Sequence, residues 1–312
     1  VQDQAGGATA PDAQPNPQPG PPARPDSPWG RLLRSHERRY VVAREVLAGA
    51  GVVLLVLGVL WGSTGQPLGR SPIVVVESGS MMHCRNYGDP ASALGRNCDD
   101  PSLGRLGTID PGDLILVKDI DHPGDVDTLA ADGSRHYGRA GDVVVYRPDG
   151  NAGRTPVIHR ALFWLQANDD GTFTVADLGL SHVDSLDQPE VRRLGLAAGY
   201  ADTLRDPRFD SICGPVGPAR SGFITRGDNN PAADQSAHGG IAVCPVQMAF
   251  ILGKARGEIP WLGLFKLLVS DLTTGTGNYH NAAGDTKAFL WLTLALLVGG
   301  PYAYEKLKHR KA

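Results

Sequence analysis

Hydrophobic positions fall into two kinds of pattern along the chain. VLAGAGVVLLVLGVLWG, Val46 to Gly62, and AFLWLTLALLVGGPYAY, Ala288 to Tyr304, are long apolar runs without a charged residue. Each approaches the roughly 20 residues a helix needs to cross a bilayer, so 46–62 and 288–304 are predicted transmembrane helices. Between them the apolar runs are short, rich in valine and isoleucine, and bounded by glycine, proline and aspartate: PIVVVES, GDLILVKDI, GDVVVYR, PVIHRALFWL, TFTVADL and GFITRGD. That punctuation predicts strands, and hence a mainly β domain over residues 66–287. Three of the runs carry a Gly-Asp pair, at Asp113, Asp142 and Asp228, where the glycine supplies a turn and the aspartate can bond nearby backbone. IPWLGLFKLLV, Ile259 to Val269, is too short to span. Two readings of it stay open, an interfacial segment with Trp261 and Phe265 inserted or a core strand and turn.

Charge orients these elements. Residues 1–29 hold eight of the 24 prolines and few large apolar side chains, the composition of a disordered tail. Residues 30–45 form a basic segment with Arg31, Arg34, Arg38, Arg39 and Arg44, which places the N-terminus in the cytoplasm. The second apolar run has Trp291, Tyr302 and Tyr304 near its ends and is followed by a basic tail, 305–312, with Lys306, Lys308, Arg310 and Lys311. Both termini then read as cytoplasmic, the chain as a multi-pass protein of the plasma membrane, and residues 66–287 as extracytoplasmic. The alternatives are a cleaved signal peptide for the first run and a buried core helix for the second. WGSTGQPLG offers no convincing small-residue cleavage site, and the basic end disfavours a core helix. A formal net charge of -3 gives no basic excess for nucleic acid.

All four cysteines, Cys84, Cys98, Cys213 and Cys244, lie in the external segment, which fits two disulfides. Cys84 with Cys98 and Cys213 with Cys244 is the simplest of three connectivities. Zinc is the weaker alternative: His83 adjoins Cys84, but no CxxC spacing is present. No metal and no organic cofactor is expected.

In VVVESGSMMHC the strand-like run stops in two hydroxyls astride a glycine. A serine becomes a nucleophile only when a base takes its proton and a sharp turn exposes it, and Ser78-Gly79-Ser80 offers that turn. His159, in VIHRALFW, places a titratable ring in an apolar run. Asp228 and Asp234, in TRGDNNPAAD, could each orient it. Serine, histidine and aspartate in this order have the logic of a catalytic triad, although strand-end serines and satisfied histidines are common in any fold. His83, three residues from Ser80, is too near in sequence to be the preferred base.

The local contexts ESGSM, GDVVVYRP, VIHRA, TRGDNNPAAD and GKARGEIPWLG resemble, in order, the motifs of type I signal peptidases, in their archaeal and endoplasmic-reticulum branch. The resemblance covers the first span and most of the external domain. It implies an extracytoplasmic signal-peptidase-like β-domain and a membrane-bound serine endopeptidase that removes signal peptides from exported proteins, cutting after small residues. It assigns the nucleophile to Ser80 and the base to His159, where bacterial members carry lysine. The orienting carboxylate falls on Asp234, with Asp228 in support and the Ser78 hydroxyl as a helper at the oxyanion. The implied partners are signal-peptide-bearing preproteins, the lipid bilayer and the protein translocon. Residues from about 165 to 220 read as an insertion. Two other functions stay open: a related protease with a dedicated precursor, and a membrane-tethered, non-catalytic β-domain that binds exported chains.

Overall fold

The computed structural model describes residues 37–67, 69–83, 107–236, 240–275 and 277–310. The proline-rich tail 1–29 and the cysteines Cys84 and Cys98 lie outside them. The chain divides into two units, Val1–Leu57 and Gly58–Ala312.

Helix α1 (Arg38–Thr64) contains the first apolar run and is apolar on all sides, with Leu54 and Leu55 more than two-thirds exposed. Among the described residues it is the one helix both long and apolar enough to cross a membrane. A helix uniformly apolar around its circumference has no polar face to turn to water.

The second unit is built on one antiparallel sheet. Its strands are β1 (Ile73–Val75), β2 (Leu114–Lys118), β5 (Val143–Tyr146), β6 (Val157–Ala167), β7 (Phe173–Val175), β8 (Leu180–Val183), β9 (Gly222–Arg226) and β10 (Ile251–Ile259). A short hairpin, β3 (Arg135–His136) with β4 (Arg139–Ala140), stands apart from it. The sheet order is β1-β2-β10-β5-β6-β7-β8, and β9 pairs with β6. The strands lie in the valine- and isoleucine-rich runs because β-branched side chains pack well on a pleated surface. β5 is buried along its whole length, and Val144, Tyr146, Ala161 and Phe223 form one core around the β5-β6-β9 centre.

Two of the three Gly-Asp pairs close turns. Gly141 has φ +85° and sits so near the Leu129 backbone that a Cβ would lie 2.6 Å from its nitrogen. Asp142 beside it accepts the Asp127 N–H at 3.0 Å. Asp113 accepts from the N–H groups of Asp110 and Trp261, at 2.9 and 3.1 Å. Asp228 has a different role, described below.

The segment from about 165 to 220 adds the β7-β8 hairpin and the short helices α2 (Pro189–Arg193), α3 (Tyr200–Arg205) and α4 (Asp210–Cys213). They bury Phe173, Val191, Tyr200 and Leu204 against Leu162 and Ile224 of β6 and β9. Arg220, fully buried, donates to the carbonyls of Leu204 and Asp206 at the end of α3 and of Gly214 at the end of α4, capping both.

After β10 the chain turns at Pro260–Gly263 into α5 (Leu264–Thr274) and then α6 (Gly284–Arg310). Leu264 and Leu267 pack on Ala282 and Leu290, and Trp261 stacks on Phe289 at 5.3 Å. The Ile259–Val269 segment is therefore a strand end, a turn and the start of a helix. Its Phe265 and Val269 remain exposed.

The structure does not bear out a mainly β fold: over the described residues it is mixed, 40% helical and 22% strand. Beyond the two long helices, whose apolar runs were expected to be helical, the helical content comes from α5 and from the short helices and 3-10 turns between the strands. The run 288–304 lies inside α6. That helix combines its apolar stretch with Asp285, Lys287, Gly299-Gly300-Pro301 and Glu305, which lower its apolarity below that of α1. Its crossing of a membrane stays a proposal.

Candidate active site

β6 is hydrogen-bonded on both sides, with His159 opposite Val144 of β5 and Arg160 opposite Arg226 of β9. Successive side chains of a strand point to opposite faces. His159 and Arg160 therefore serve two separate clusters, and each takes one of the two aspartates.

On the first face His159, 2% exposed, lies between Ser80 and Asp234. Its Nε2 is 2.9 Å from Ser80 Oγ and its Nδ1 is 2.7 Å from Asp234 Oδ2. The same carboxylate oxygen accepts from Thr225 Oγ1 at 2.7 Å and from the Tyr146 hydroxyl at 2.9 Å. Burial, and then the negative charge of Asp234, push the Tyr146 phenol well above its ordinary range, so it stays a donor. An acceptor at Nδ1 assigns the proton to that nitrogen and leaves the Nε2 lone pair facing Ser80. That is the arrangement of a general base beside a nucleophile.

The turn that carries Ser80 follows from its neighbours. Gly79–Met81 is a single 3-10 turn directly after the β1 run, with Met81 and Met82 each 1% exposed as anchors below it. The Asn229 N–H donates to Ser80 O at 2.8 Å and the Asn229 Nδ2 donates to Gly79 O at 3.1 Å. Gly227 allows this approach: a Cβ there would stand 2.6 Å from Ser80 O and 2.9 Å from His159 Nε2. The Ser78 hydroxyl, exposed, lies 3.3 Å from that of Ser80.

On the second face Asp228 takes both arms of the Arg160 fork, at 2.8 and 2.6 Å, and His83 Nε2 at 2.8 Å. Burial alone would raise its pKa. The hydrogen bonds from Arg160 and His83, with the charges of Arg160 and Arg139, outweigh it and hold Asp228 down at about 2. His83 is thus engaged with Asp228, and Asp234 is the carboxylate beside His159. Because the folded-state pKa of Asp228 lies below the unfolded one, its ionised form adds stability that is complete above about pH 4 and is lost as the pH falls through about 2. Asp228→Asn is expected to cost on the order of 2 kcal/mol at pH 7, the equivalent of that shift, with the gap from wild type narrowing between about pH 4 and 2. Urea denaturation across that range measures it; a gap constant with pH would rule the charge contribution out.

The insertion grips the loop that carries Asp234. The Ala233 N–H donates to Gly195 O at 2.9 Å, the Tyr200 hydroxyl donates to Val243 O at 2.6 Å, and Cys213 is disulfide-bonded to Cys244. Ser80 and His159 open on a cleft of about 500 Å³ walled by Glu77, Pro156, Asn230, Ile241 and Asn281. A second cleft of about 500 Å³, lined by Ile73, Leu114, Leu262 and Phe265, shares Val75, Glu77, Thr155, Pro156 and Ile158 with the first. Together they form a groove along β1, which among the described residues is an edge strand paired with β2 alone.

Sequence reasoning missed Tyr146, Thr225, Gly227 and Asn229. Tyr146 lies within the GDVVVYRP motif and the other three lie in the GFITRGDNN stretch, so the signal was their presence within quoted motifs. No protein-family model matches the chain, and no curated protein is significantly similar to it.

Proposed function

We propose that the chain is a membrane-bound serine endopeptidase that removes N-terminal signal peptides from exported proteins, cutting after small residues. The observation that carries this reading is the continuous hydrogen-bonded line from Ser80 through His159 to Asp234, opening on a groove beside β1, whose outer edge has no partner strand among the described residues.

In this mechanism Ser80 Oγ attacks the scissile carbonyl while its proton passes to His159 Nε2, and Asp234 stabilises the imidazolium that forms. The Ser80 N–H, helped by the Ser78 hydroxyl, receives the developing oxyanion. Collapse breaks the C–N bond; His159 protonates the leaving amine, and the signal peptide is held as an ester on Ser80. Water, deprotonated by His159, then attacks the ester, and the proton returns to Ser80 as the acid product leaves. The chemistry draws on no metal or organic cofactor.

The substrate would lie extended along β1, with main-chain bonds to the free edge and small side chains directed into the groove. Spanning by α1, and by the apolar stretch of α6 with both termini cytoplasmic, would hold the site at the outer face of the plasma membrane. Signal peptides emerge there from the translocon, and confining enzyme and scissile bond to one thin layer raises their effective concentration.

The test is cleavage of a preprotein with alanine one and three positions before the junction by the detergent-solubilised full chain. Cutting at that junction is expected, falling about a hundredfold when a bulky residue replaces the alanine before the cut. Cutting of one precursor alone would favour a dedicated protease. Binding without cutting by the folded protein would favour the non-catalytic domain.

A further inference from the structure

The groove carries little charge. Among the described residues that line its two clefts, Glu77, Lys266 and His159 are the ones with ionisable side chains. Glu77 borders both clefts and stands three residues before Ser80, which places it at their junction. Lys266 reaches it from the first turn of α5, with Nζ 3.0 Å from Glu77 Oε1. The side chains of Glu77 and Lys266 are 31% and 59% exposed, so a peptide in the groove can reach both.

Both partners are anchored at the base. The Val76 N–H donates to Asp113 O at 3.0 Å and Asn281 Nδ2 donates to Glu77 O at 3.0 Å, which fixes the main chain at Glu77. Leu264 and Leu267, the neighbours of Lys266 along α5, are fully buried. An exposed ion pair between such side chains is weak, because water solvates each partner and the long lysine stem loses freedom in reaching across. A third charge entering the groove can therefore compete for either partner. It also meets repulsion from the other: an acidic side chain drawn to Lys266 lies beside Glu77, and a basic one drawn to Glu77 lies beside Lys266. An uncharged side chain leaves the pair closed.

We propose that Glu77 and Lys266 are specificity-determining residues that select an uncharged substrate side chain at the junction of the two clefts. The pair rejects both signs of charge at one position of the peptide, which neither residue does alone. This rests on the peptidase reading above.

In the test, a single glutamate or lysine is walked through the positions on either side of the cut in a model preprotein. The kcat/KM of each is divided by that of the alanine version with the same enzyme, so a general loss caused by a substitution cancels. With wild type, one position is expected to disfavour both charges about tenfold. Glu77→Gln frees Lys266 and should lift the glutamate ratio at that position about tenfold while lysine stays disfavoured; Lys266→Met should do the reverse. The double exchange Glu77→Lys with Lys266→Glu should restore rejection of both, and high salt should flatten all these differences. Variants whose ratios match wild type at every position would overturn the proposal. Should one single variant fail to fold, the other tests the same idea with the opposite sign. Absence of cleavage by wild type, or cleavage that survives loss of the Ser80 hydroxyl, would instead remove the peptidase reading.

Discussion

Ser80→Ala is expected to lower kcat/KM for a model preprotein by about 10⁴-fold or more while leaving the fold intact. The Ser80 hydroxyl is bonded to His159 Nε2 and lies near the exposed Ser78 hydroxyl. Its removal leaves His159 still held by Asp234, so stability should change by no more than about 1 kcal/mol. His159→Ala should lose a similar factor in rate but also some stability, because it takes a donor from a buried carboxylate. The double variant should be no slower than either single one, since nucleophile and base act as a unit. Turnover and thermal melting of the three variants provide the measurement, and activity surviving Ser80→Ala would sink the mechanism.

The second large effect separates the two aspartates. Asp234→Asn is expected to reduce kcat by about 10⁴-fold. Asp234 Oδ2 receives His159, Thr225 and Tyr146, so an amide there either keeps its oxygen inward and loses the charge that stabilises the imidazolium, or turns its NH2 toward Nδ1. In the second case Nδ1 must accept and Nε2 carries the proton, which leaves no base for Ser80. Asp228→Asn alters the opposite face of β6, where Arg160 and His83 converge, and should act first on stability. Equal losses in kcat for the two variants, with equal melting temperatures, would show that the division between the faces has no functional meaning.

The strands were legible because each joins β-branched residues to a turn residue at its end. PIVVVES, GDLILVKDI, GDVVVYR and GFITRGD all contain strands of the sheet. Helices α2 to α4 were not legible: at four to six residues they are too short for an apolar period to register, and α4 is held by a disulfide and by Arg220 from elsewhere in the chain. Residue types and motif context pointed to Ser80, His159 and Asp234, but the choice between Asp228 and Asp234 depends on strand alternation at His159-Arg160 and on the return of the chain after β9. Tyr146 and Thr225 escaped notice because an inward-facing residue of a strand reads as core until its hydroxyl is seen to meet a carboxylate. Lys266 was hidden by distance, since nothing local relates it to Glu77.

The wide spacing of the three residues also bears on how the proposed activity would arise during folding. Ser80 and His159 are 79 positions apart, and His159 and Asp234 are 75. No fragment that emerges early can hydrolyse a bond, and non-local pairings of this kind are slow to form. Catalytic competence should therefore appear late during refolding, after secondary structure has returned, so that recovered turnover is a clock for closure of the whole sheet.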